Sequence, residues 1–101
     1  MGSRVDLQYK LEEILEKPNV YFQPPSSVKL RYRAIVYNLK DVAELHADDL
    51  AYQQHRAYEL ILIDEDPDSE YVAKILQLRY CSFDRFYTAD NLNHWVFTLY
   101  W

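Results

Sequence analysis

Glycine is nearly missing from this chain: 101 residues hold one, Gly2. That rules out a glycine-rich phosphate loop or dinucleotide-binding fingerprint. Turns must fall to Asn, Asp, Ser and Pro instead. Cysteine is equally scarce. Cys81 alone cannot form an intrachain disulfide, which fits a reducing compartment. Basic charge is also short, with 11 Lys and Arg against 16 Asp and Glu, a net charge of −5. Non-specific nucleic-acid binding needs the opposite balance, so it is disfavoured. No signal peptide is evident, and no apolar run approaches a membrane span.

What the chain does have is aromatic surface. Phe, Trp and Tyr make up 16% of it, and ten residues are Tyr. Tyr combines a large contact face with a hydroxyl, which suits both strands and protein interfaces. The densest stretch is Cys81–Trp101, with Phe83, Phe86, Tyr87, Trp95, Phe97, Tyr100 and Trp101. Asp90-Asn91-Leu92-Asn93 divides it into two β-type runs, so it reads as one hairpin. The apolar Tyr100-Trp101 end should be docked, either in its own sheet or against a neighbouring subunit.

The length fits one domain over residues 1–101, with 1–4 expected to be flexible. Leu7, Leu11, Ile14 and Leu15 predict a helix over about 5–17, stopped by Pro18. A short strand follows over 19–23, closed by Pro24-Pro25. A longer strand is expected over 28–39 and another over 51–64, pairing antiparallel. The segment 41–50 between them reads equally as a loop or a short helix. Its length suggests a surface adapted to a partner. An acidic turn then leads to a second helix, capped by Asp66 or Asp68, with Val72, Ile75, Leu76 and Leu78 as its apolar stripe. Strands over 80–88 and 94–101 complete the order α-β-β-β-α-β-β. This is an α+β fold, a mostly antiparallel sheet with helices packed on one face. Its other face is either solvated or covered in an assembly.

Chemistry is thinly represented. His46 with Asp48 and Asp49 superficially resembles a metal site, but a solvated acidic loop explains it without a third ligand. His55 and His94 read as ordinary strand positions. Asp64, Glu65, Asp66, Asp68 and Glu70 crowd a helix start, where carboxylates complement the dipole. Acid–base work would need their pKa values separated by burial. Cys81 reads as an inert thiol. No cofactor, metal or catalytic residue is expected.

Three strings carry a family likeness: Val20-Tyr-Phe-Gln-Pro-Pro25, Lys29-Leu-Arg-Tyr32 with Ile35-Val-Tyr37, and the ungapped run from Cys81 to His94. Together they resemble tail-terminator (tail-completion) neck proteins of long-tailed bacteriophages. The resemblance spans about residues 7–101 and is poor over 41–51. It implies a ring, usually of six copies, that ends the tail tube and joins it to the head connector. The partners it implies are other copies of the chain, the tail-tube protein and head-completion proteins, with DNA passing through the lumen unbound. The location it implies is the virion neck, after assembly in the host cytoplasm. Subunit or partner contacts are expected from Arg85, Phe86, Tyr87, Trp95, Tyr100 and Trp101, and from His46, Asp48 and Asp49. Arg31, Arg33 and Arg56 are expected to face protein too. Asp64, Glu65, Asp66 and Asp68 are the expected channel lining, because like charge keeps DNA off a wall. The alternatives are a head-completion stopper of the same neck, a small oligomeric binding module, or a hydrolase using the acidic turn.

Overall fold

A computed structural model of the chain describes residues 3–44 and 54–101. The elements are α1 (Arg4–Leu15), β1 (Val20–Phe22), β2 (Ala34–Glu44), β3 (Gln54–Asp64), α2 (Tyr71–Leu76), β4 (Cys81–Ala89) and β5 (Leu92–Tyr100). The expected order α-β-β-β-α-β-β is therefore the observed one. The strands form one sheet in the order β1-β2-β3-β5-β4. Every pairing is antiparallel except β1 with β2, which is parallel.

Helix α1 follows from its sequence. Leu7, Leu11 and Leu15 recur every four residues and are fully buried. Ser3 caps the helix, its hydroxyl accepting from the Asp6 amide while the Asp6 carboxylate accepts from the Ser3 amide. The helix thus begins before the expected flexible end: Ser3 is its cap and Arg4 its first residue. It stops at Glu16, whose φ of 61° and ψ of 24° break the helical path.

The three leucines pack on one face of the sheet. Ile35 and Tyr37 of β2, Tyr58, Leu60 and Leu62 of β3, and Trp95, Phe97 and Leu99 of β5 form that face with Tyr71 and Ile75 of α2. These positions alternate along each strand, as a pleated sheet covered on one side requires. Each buried leucine stabilises the fold by about 1.5–3 kcal/mol. A polar cluster pins α1 to this core. The Tyr37 hydroxyl donates to Gln8 Oε1 at 2.6 Å and accepts from Arg4 Nη1 at 3.1 Å. Burial raises the Tyr37 pKa above the usual phenol value.

Two boundaries differ from expectation. The strand expected over 28–39 is instead Ala34–Glu44. Because β1 lies parallel to β2, residues 23–33 must carry the chain back along the sheet, so they are consumed by the crossover. Arg33 anchors its end, donating twice to the Leu15 carbonyl at 3.1 and 3.4 Å and lying 4.1 Å above the Tyr71 ring. Residues 41–44, expected in the connection, continue β2 after a bulge between Leu39 and Asp41. The rest of that connection, with His46, Asp48 and Asp49, lies outside the described residues.

The second helix starts later than expected, and neither Asp66 nor Asp68 caps it. The Asp66 amide donates to Asp64 Oδ1 at 3.1 Å, and the Asp68 amide to Asp66 Oδ1 at 2.9 Å. These consecutive side-chain turns hold the backbone out of a helix. Glu70 is the cap position, with no side-chain bond. In α2 the buried pair is Tyr71 and Ile75, whereas Leu76 is exposed.

Candidate interaction surface

The terminal hairpin turns on Asp90 and Asn91, both left-handed at φ 54° and 62°. That geometry matches a two-residue primed turn, and Asp and Asn are the non-glycine residues that best tolerate it. It fixes the register Ala89↔Leu92, Thr88↔Asn93, Tyr87↔His94 and Phe86↔Trp95. Opposed residues share a face, so Phe86, like Trp95, lies on the helix side, and Tyr87 on the other. A bulge between Phe83 and Arg85 adds one residue, which keeps Phe83 on the helix side as well, opposite Phe97.

Strand β4 is the sheet edge, paired to β5 alone among the described residues. Although α2 touches this strand, its aromatic rings stay open to solvent: Phe83 is 47% exposed, Phe86 46% and Tyr87 37%. Each ring leans on the next strand. Phe83 meets Phe97 edge-on at 5.8 Å, Phe86 tilts against Trp95 at 5.4 Å, and Tyr87 stacks on His94 at 4.6 Å. Between them Arg85 pairs with Asp84 at 3.1 Å and reaches over the Tyr87 ring. The exposed Leu76 of α2 adds a further apolar side chain to the chain's surface. Exposed apolar surface on a free strand edge is the physical signature of a docking site.

Not all of the expected contact residues are on this surface. Trp95 is 7% exposed and belongs to the chain's own core, beneath Phe86. Trp101 is docked within its own chain. Its amide and carbonyl exchange hydrogen bonds with Arg56, and its Nε1 donates to the Ser3 carbonyl at 3.0 Å. Tyr100 remains 41% exposed. Arg33, expected to face a partner, is spent on Leu15 and Tyr71 of its own chain. Phe83 was not singled out from sequence. The signal was there in the Phe83-Asp84-Arg85-Phe86 spacing, but strict alternation puts Phe83 and Phe86 on opposite faces, and only the bulge unites them.

The acidic turn is held in place from the hairpin, since Asn93 Nδ2 donates to the Asp64 and Glu65 carbonyls at 3.2 and 3.1 Å. Its Glu65, Asp66 and Asp68 side chains are exposed. Burial pushes the Cys81 thiol up to about 11, so only a small fraction is thiolate at neutral pH. No group of three or more His, Cys, Asp or Glu among the described residues could hold a metal ion. No described helix is long and apolar enough to cross a membrane. Comparison with known families, curated proteins and solved structures finds no match.

Proposed function

We propose that this chain is a structural assembly subunit of a phage neck, a tail terminator that forms a ring on the end of the tail tube. The observation that supports the reading is the aromatic edge strand. Phe83, Phe86 and Tyr87 stand on β4, exposed in the single chain and underpinned by a packed second row. Such an anchor needs a protein partner rather than a catalytic motif. A ring places β4 of one copy against a different surface of the next, because cyclic closure is heterologous. The exposed carboxylates of the acidic turn are then the part suited to the lumen wall, where they repel DNA.

The test is electron microscopy of tail-tube protein polymerised with and without this chain. The expected result is tubes of limited length with a ring on one end, lost with Phe86→Ala. Tubes that grow equally long and uncapped in its presence would refute the reading.

A further inference from the structure

We infer that in the free protein the β4 edge is closed by the β4 strand of a second copy, antiparallel about a two-fold axis centred between Asp84 and Arg85. The argument is one of register. The bulge puts Cys81, Phe83, Phe86 and Thr88 on the helix side and Ser82 and Tyr87 on the other, as their partners on β5 show. An antiparallel pair must set residues of the same face opposite each other. A two-fold between Asp84 and Arg85 does so along the strand. Phe83 meets the partner's Phe86, Ser82 its Tyr87, and Cys81 its Thr88. Moving the axis onto Arg85 sets Phe83 against Tyr87 of the opposite face.

Charge selects the same register. Asp84 falls opposite Arg85 of the second copy, twice, so the ion pair now formed within one strand becomes two pairs between strands. Shifting the axis onto Asp84 opposes two carboxylates, which is unfavourable. A bulge and charges on an edge normally discourage pairing. Here both lie on the proposed axis, where a second copy carries the same bulge and the complementary charge. They exclude foreign strands and admit this one. The four phenylalanines then form one apolar cluster continuous with Phe97 and Trp95 of each copy.

This inference does not rest on the neck reading. A two-fold pair closes on itself and cannot build a ring, so it belongs to the free chain and must open before a ring forms. Sedimentation of the purified chain reads the pair. Arg85→Asp is expected to weaken it by more than about tenfold, and the swap Asp84→Arg/Arg85→Asp to restore it. Cross-linking reads the register. Opposed residues lie about 4.5–5.5 Å apart at Cα, within reach of a disulfide. Oxidised Thr88→Cys is therefore expected to give a covalent dimer through Cys81. Ala89→Cys, on the other face, and Cys81→Ala/Thr88→Cys are expected to give none. A chain that stays monomeric up to about millimolar concentration overturns the inference. So does a dimer in which Ala89→Cys cross-links as well as Thr88→Cys, or a swap variant no better than Arg85→Asp. A monomer whose β4 pairs only with an added foreign strand also overturns it. A confirmed pair alongside uncapped tubes would leave this inference standing and the neck reading refuted.

Discussion

Replacing Arg33 with Ala removes the side chain that ties three elements together at one end of the core. Its guanidinium donates two hydrogen bonds to the carbonyl that ends α1 and covers the Tyr71 ring of α2, while its backbone leads into β2. A charge-assisted hydrogen bond is worth about 1.5–3 kcal/mol, and a half-exposed cation–π contact about 0.5–1 kcal/mol. The two hydrogen bonds share one acceptor and are not additive, and the site is partly solvated. The expected loss is therefore about 2–3 kcal/mol. Arg33→Lys keeps the charge near the helix terminus but loses the planar fork, so about 1 kcal/mol is expected. Urea unfolding of both variants reads the difference as a shift of midpoint at constant slope. If Arg33→Ala lies within about 0.5 kcal/mol of the wild type, the side chain does not anchor the crossover and the explanation for the late start of β2 fails.

Tyr37→Phe removes the hydroxyl that joins Gln8 and Arg4, and is expected to cost about 1–2 kcal/mol, read as a fall of about 4–12 °C in Tm. Asn91→Gly is expected to be neutral or slightly stabilising, whereas Asn91→Val costs about 1–2 kcal/mol by thermal melting, because φ is 62° there. The hydrogen bond from Lys74 holds the Glu16 carboxyl below its ordinary value, and the same bond holds the Lys74 pKa above its own. The carboxyl's contribution to stability is thus present above the ordinary carboxylate pKa and lost as pH falls through the lowered one. That of the amine is present below the ordinary lysine pKa and lost as pH rises through the raised one. Lys74→Ala should return Glu16 to the ordinary range in an NMR titration, and an unchanged Glu16 would show that the pair does not form in solution.

Elements with one strong periodic signal were legible in the sequence. The leucine spacing of α1 specifies its helix directly, and the Asp90-Asn91-Leu92-Asn93 break marks the hairpin, although only Asp90 and Asn91 form the turn and Leu92 and Asn93 already belong to β5. The order of elements followed from them. The starts of β2 and α2 were not legible, because tertiary contacts decide them. Arg33 reaches α1 and α2 rather than extending a strand, and the Asp64 and Asp66 carboxylates trap amides that a helix would otherwise use. The aromatic hairpin was visible as a block, but not which rings face outward. Trp95 and Trp101 look like interface anchors by composition, yet both complete their own chain, while the bulge exposes Phe83 and Phe86 together.

The central claim is that copies of this chain meet along β4, and hydrogen exchange at two protein concentrations tests it most directly. If the account holds, amides within 81–89 gain protection as concentration rises, while those of β1, α1 and β3 do not change. Exchange along β4 that is the same at both concentrations would contradict it, since an edge that stays open to water at high concentration is not where the copies join.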